Sequence, residues 1–405
     1  MNTYQYNTES MNSSHPEFMD WLGKLHSQSK HPFCMCQNPP IEMYIAKIGN
    51  SYVIKRMPNS GKLHHVNCDS YEPPIELSGY SQVEGSAIQE NPGEGTTALR
   101  FGFSLSKNSG KAMPVGSGLQ ADSVQTDGTK LTLKSTLDYL WEQAGFNRYT
   151  PAMKGKRNWY VIRKYLSQAA GDKFAKGQNL RSMLFIPETF NLEKKDELKH
   201  HRMEIFNKIA AGDTGARKLM IMIGDVKDIE VARFGYKIIF KHLPDCPFMI
   251  NEDLYKRIFK RFSNQIEIWN VEDKSHLMLI GTFGVSRNGI PTFEEVSMMN
   301  VSEDWIPFDD VNELNLCKKL IEEERSFIKG MRYNLRPGKA MACAVLSDTG
   351  NEPTALYIVN NEDEALIKET NELIENSHIS SWSWDVNISL PTLPEKMAKI
   401  AYEPL

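Results

Sequence analysis

The chain has 405 residues, 40% of them hydrophobic and 24% charged, a composition that excludes disorder throughout. Its 47 Lys and Arg against 51 Asp and Glu leave a net charge of −4, which excludes a globally basic nucleic-acid coat but not a local basic face. No apolar run approaches the ~20 residues of a membrane span, and the polar opening Met1-Asn2-Thr3-Tyr4-Gln5 lacks a leader pattern, so the expectation is a cytoplasmic protein with reduced thiols and no membrane contact.

Residues 1–105 read as an N-terminal region. Phe18, Met19, Trp21, Leu22 and Leu25 have the spacing of a short amphipathic helix. Half of the six cysteines and two of the ten histidines then fall between Cys34 and Cys68. The β-prone runs Met43–Ile48 and Tyr52–Met57 flank Gly49-Asn50-Ser51, which predicts a hairpin that returns the chain to its start. Cys34 and Cys36 would then meet Cys68 and one imidazole. Three thiolates and one nitrogen suit Zn²⁺ and leave no open position for water, so the site reads as a structural zinc module over residues 31–75. Spacing alone does not choose between His64 and His65; the spare ring is a supporting donor or is solvated.

Pro73-Pro74 forces an extended exit from this module. Leu99–Leu105 alternates and predicts a strand, while the glycine-rich stretch 106–130 reads as a flexible loop or linker. Within it Ser109-Gly110-Lys111 is not a phosphate loop: Leu105 stands where the first glycine belongs and Ala112 where Ser or Thr is required.

A mixed α/β domain is expected over 131–405. Leu133, Leu137, Leu140, Trp141 and Ala144 predict a helix stopped by Gly145, and a second runs from Trp159 to Ala170. Across the segment 148–176, Arg148, Lys154, Lys156, Arg157, Arg163 and Lys164 are interleaved with Tyr149, Trp159, Tyr160 and Tyr165. Cations for phosphates and rings for bases make DNA the expected partner here; the alternative is a basic helix face with its aromatic side packed inward. Ser182–Ile186 predicts a strand, and 191–211 a charged helix on which His200 and His201 face different ways.

The remainder shows a loose rhythm of strand, turn, strand and helix. The units are Leu219–Ile223, Phe234–Phe240 and Glu252–Trp269; Leu277–Ile280, Phe293–Met299 and Val311–Ile328; and Ala342–Leu346, Ala355–Val359 and Asp363–Ile374, with Trp382-Ser383-Trp384 as a last strand. The expected fold class is α+β or α/β, a zinc hairpin module followed by a mixed sheet covered by helices.

Signals of catalysis are sparse. Asp225-Val226-Lys227 closes an apolar strand like the acid-x-lysine triplet of a Mg²⁺-dependent PD-(D/E)xK nuclease, with Asp213 as the one nearby upstream acid. Asp348 reads as a turn carboxylate, and Cys246, Cys317 and Cys343 as buried thiols. Neither a G-x-S-x-G elbow nor a G-x-G-x-x-G fingerprint is present.

Cys34-x-Cys36, Met43–Gly49, Tyr52–Pro58, His64-His65-x-x-Cys68-x-Ser70–Pro74, Thr126–Leu133, Gly155–Trp159, Lys241–Pro244, Asn300–Phe308 and Thr354–Val359 together resemble an uncharacterised bacterial domain-of-unknown-function family. That resemblance covers nearly the whole chain and implies a setting on integrative and conjugative elements and plasmids. The zinc knuckle alone resembles the N-terminal module of competence CoiA-like proteins, which implies a following nuclease domain, although C-x-C and the missing catalytic Asp depart from it. The readings are therefore a zinc-stabilised, DNA-associated accessory protein of a mobile element, a Mg²⁺-dependent nuclease, or a scaffold for another mobile-element protein through the acidic helix Glu362–Glu375.

Overall fold

The computed structural model describes residues 2–107, 128–211, 216–336 and 338–397. Most of the glycine-rich stretch, and Asp213, lie outside these residues. Ser106–Lys107 forms a two-residue ladder with Arg217–Lys218. The class is α+β, with mixed sheets and helices packed against them.

The N-terminal sheet has the strand order Glu9–Asn12, Thr3–Tyr6, Phe33–Cys34, Ile41–Ile48, Ser51–Arg56. The hairpin is present, tighter than the sequence suggests: Ile48 pairs with Ser51, and Gly49 takes the positive φ that such a turn needs. The expected Phe18–Ser27 helix lays Trp21, Leu22 and Leu25 on this sheet, in a core with Tyr4, Met43, Ile45, Tyr71 and, from the far end of the chain, Ile328. The body approaches closely at Gly95, where a β-carbon would meet the Ile45 carbonyl at 2.8 Å.

Residues 75–105 share one core with the helices Leu133–Gln143 and Trp159–Ala169. Thr132 and Asn158 cap the two helices by accepting from the backbone N–H three residues on. The strand expected over Leu99–Leu105 lies earlier, at Thr96–Leu99, because Thr97 and Ala98 pair with Lys173 and Phe174.

The main sheet closes on itself. Its five long strands are Met220–Val231, Tyr236–Phe240, Leu243–Ile250, His276–Val285 and Pro291–Val301, with Leu184–Phe185 and Pro307–Phe308 as short additions on the first and the fifth. The first pairs with the second and the fourth, the second with the third, the third in parallel with the fifth, and the fifth with the fourth. Helices Glu252–Arg261 and Ser263–Val271 connect the third strand to the fourth. A five-stranded barrel of order 1-2-3-5-4-1 with a helical link between strands 3 and 4 has the topology of the OB fold. Phe240, Phe248, Phe283 and Phe293 fill it, and Leu254, Ile258, Phe262 and Ile266 plug it from the helices. On the opposite faces of strands 1, 4 and 5, Ile221, Ile223, Met278, Ile280 and Met299 pack on the helical core. The first two expected units are thus one barrel, and its third strand was absent from the sequence expectation.

The C-terminal sheet runs Ser380–Asp385, Thr354–Val359, Ala344–Leu346, Phe327–Lys329, Arg148–Tyr149. Its last strand draws part of the basic-aromatic segment into the fold. The helix expected to continue to Ile328 ends at Glu322, and Phe327–Lys329 becomes a strand. No helix among the described residues is long and apolar enough to cross a membrane.

Candidate metal centre and nucleic-acid interface

Cys34 ends a short central strand paired with Thr3–Tyr6 and Ile41–Ile48, and Cys36 follows two residues on. Across the hairpin the Gly61–Leu63 turn delivers His64, and a further turn in which the Cys68 N–H donates to the His65 carbonyl delivers Cys68. The Cys34, Cys36 and Cys68 sulfurs and a His64 nitrogen all lie within 4.8 Å of one another. Cys34 Sγ is 3.8 Å from Cys68 Sγ, and His64 Nδ1 is 3.2 Å from Cys36 Sγ and 3.7 Å from Cys68 Sγ. With Zn–S near 2.3 Å, the edge of a tetrahedral site is about 3.8 Å, so the cluster could hold a metal ion and its donors fit zinc. A disulfide requires about 2.05 Å between sulfurs, and all the cysteines are free.

Ser70 N–H lies 3.4 Å from Cys68 Sγ, and the hydrogen bonds among the three sulfurs push the Cys36 thiol down while they push that of Cys34 up. His64 is buried with its Nε2 unpartnered by protein, whereas His65 stands outside the cluster and accepts from Asn67 N–H through Nδ1. Geometry therefore selects His64.

The basic segment divides in two. Arg148 donates to the Tyr71 carbonyl beside Glu72, and Arg157 brackets the carbonyls of Phe146, Asp304, Gly145 and Arg148. Burial lowers the Arg157 guanidinium to about 10. Trp159 is buried, donates to the Pro187 carbonyl and stacks on His242 at 5.1 Å. These three fasten the zinc module, the helices and the barrel together. Lys154, Lys156 and Lys164 are exposed, as are Tyr160 and Tyr165. Arg163 donates to the Ile186 carbonyl and remains partly open.

Beside that open flank runs a groove of about 760 Å³ between the zinc hairpin and the Trp159–Ala169 helix. Lys55, Arg163, Lys164 and Arg181 line it with Tyr160 and Tyr165; Asp172 is the one carboxylate among its lining residues. A second open surface lies on the barrel. Lys237, Ile239, Pro247 and Met249 alternate with the buried residues of strands 2 and 3 and are half-buried. At the loop joining strands 1 and 2, Phe234 is 79% exposed, with the Arg233 guanidinium 5.4 Å from its ring centre. Tyr236 stacks on Tyr255 at 3.5 Å and holds the base of that loop against its helix. The sequence reading missed this surface; the signal was Arg233-Phe234-Gly235 between two strands.

Asp225 and Lys227 do not act together. Asp225 is buried, takes a 2.7 Å hydrogen bond from His276 Nδ1, and its Oδ1 stands 3.1 Å from Lys241 Nζ at ion-pair range without hydrogen-bond alignment. Lys227 is exposed at the register shift between Val226 and Asp228. Among the described residues, the four-residue thiol and imidazole cluster is the only group of three or more His, Cys, Asp or Glu placed to share an ion. Asp348 is buried and accepts from Arg325, and His200 and His201 are exposed on their helix.

A family model described as protein of unknown function (DUF1173) matches residues 4–387. The chain belongs to that family. No curated protein matches the chain. No solved structure matches it either. For this DUF1173 chain, chemistry must therefore be argued from the two open surfaces and the thiol cluster.

Proposed function

We propose that the chain is a zinc-stabilised binding protein for single-stranded nucleic acid. The observation that carries the reading is the OB-type barrel, whose strand 2–3 face stays open and whose first loop raises Phe234 and Arg233. Barrels of this topology bind single strands on that face, with rings stacking on bases and cations following phosphates. The groove adds a second basic and aromatic surface, with Arg163, Lys164 and Arg181 beside Tyr160 and Tyr165, while Lys55 there is paired with Asp172. Zinc fixes the hairpin that forms the groove's wall and takes no part in chemistry.

Fluorescence anisotropy with a ~16-nucleotide single strand tests this. Phe234→Ala is expected to weaken binding about tenfold, since one stacked base is worth about 1–3 kcal/mol. Arg163→Glu with Lys164→Glu should weaken it further and flatten its dependence on salt. Absent binding, or binding indifferent to both changes, defeats the proposal; tighter binding to duplex would reassign the ligand.

A further inference from the structure

Asp225, His276 and Lys241 are used by nothing so far described. They meet where strand 1 of the barrel passes the start of strand 4 and the turn between strands 2 and 3. The Asp225 side chain is 1% exposed, that of His276 21% and that of Lys241 34%, so a buried carboxylate carries two groups that reach solvent. The imidazole lies flat on Trp305, ring centres 4.0 Å apart and planes 24° from parallel. Its Nδ1 faces Asp225 at 2.7 Å and Lys241 Nζ at 3.2 Å. A carboxylate on Nδ1 fixes the tautomer that leaves a lone pair on Nε2, and the indole fixes the ring plane: the arrangement of an oriented general base.

We infer that His276, with Lys241 beside it, is an acid–base site that cleaves the phosphodiester of single-stranded RNA without a metal ion. This rests on the nucleic-acid reading above and names its substrate. The site's position supports it. Trp159, at the start of the helix that walls the groove, stacks on His242, the neighbour of Lys241. Arg163 lines both the groove and the small cavity that His242 also lines. The chemistry chooses RNA because one base and one cation suffice when the nucleophile is the ribose 2′-hydroxyl, already beside the phosphorus.

In the step, His276 Nε2 takes the 2′-hydroxyl proton as the O2′–P bond forms and the P–O5′ bond breaks. The Lys241 ammonium stabilises the charge on phosphorus-bound oxygens and gives its proton to the departing O5′. The imidazolium then gives its Nε2 proton to solvent water and the Lys241 amine takes one from it, which leaves Nδ1–H on Asp225 and closes the cycle with no net proton change. Asp225 is a positioning residue.

The test uses the full chain, a 5′-labelled single-stranded RNA and excess EDTA, with binding to the same RNA measured in parallel. Expected products end in 2′,3′-cyclic phosphate, and a single 2′-deoxy substitution blocks cleavage at its own position. His276→Gln and Lys241→Gln should each slow cleavage at least 100-fold while binding is retained. Asp225→Glu should keep more activity than Asp225→Asn, a difference that loss of a packing contact would not produce. Binding without cleavage by the wild type overturns this inference alone; cleavage equal in His276→Gln overturns it by exposing a contaminant; failure to bind overturns both readings. The partly exposed Lys241 variant keeps the test decisive if His276→Gln does not fold.

Discussion

Cys34→Ser is expected to abolish stoichiometric zinc and to lower folding stability by more than about 4 kcal/mol, the range in which metal loss stands apart from ordinary substitutions. The reason is connectivity as much as ligand count. Cys34 and Cys36 anchor one side of the hairpin and His64 and Cys68 the other, so the ion ties segments nearly thirty residues apart that otherwise share a small core. Because Lys55 and Val53 of the same hairpin wall the basic groove, affinity for a single strand should fall with zinc, whereas the barrel with its own phenylalanine core should keep its fold. His65→Ala provides the contrast and should retain zinc. Elemental analysis of both variants, with denaturant melts, checks this; zinc retained in Cys34→Ser, or lost from His65→Ala with His64→Ala unaffected, would remove the proposed site.

The thiol cluster was legible because a metal demands particular atoms, and Cys34, Cys36 and Cys68 announce themselves as letters. The choice of His64 was not, since it is made by the rotation of one short turn at Gly61–Leu63. The hairpin around Gly49 could be read from alternation and turn chemistry, both local. The barrel could not. Pro244 and Pro247 break the usual pattern of a strand, yet they sit where their missing N–H groups do not block the pairings of Phe240 with Leu243 and Ile238 with Phe248. Closure depends on the parallel contact of Met249 with Thr292, 43 residues apart and invisible to any window. The same limit explains the divided basic segment. Composition grouped Arg148 and Arg157 with Lys156 and Lys164, but only packing reveals that the first two are spent on carbonyl oxygens. Asp225 was singled out for a triplet with Lys227, while its actual partners, Lys241 and His276, come from the turn between strands 2 and 3 and the start of strand 4.

Asp172→Asn should cost about 3–5 kcal/mol, the penalty for removing one partner of a buried ion pair. Its carboxylate joins the module to the body: it accepts from Lys55 on the hairpin and binds Lys173 through both oxygens at 2.9 Å, with Asp172 and Lys173 each only 1% exposed. Burial works against this carboxylate, but Lys173 and then Lys55 outweigh it and hold its pKa below the usual range. A depressed acid contributes stability above its unfolded pKa of about 3.9 and loses it as pH falls through the folded value. Lys173 behaves differently: burial first, and Lys55 next, push it down to about 7. Between there and its unfolded pKa of about 10.4 the unfolded chain binds the extra proton, so this lysine's contribution rises with pH. At pH 6 the variant strands a charged Lys173 beside Tyr139, whose ring centre is 5.6 Å from Nζ; at pH 9 the folded lysine is neutral and needs its anion less. The deficit of Asp172→Asn relative to wild type should therefore be larger at pH 6 than at pH 9. Denaturant melts at the two pH values decide it, because protonation of the zinc thiolates affects both proteins alike and cancels in the difference, and an equal deficit at both would mean that Lys173 does not titrate in this window.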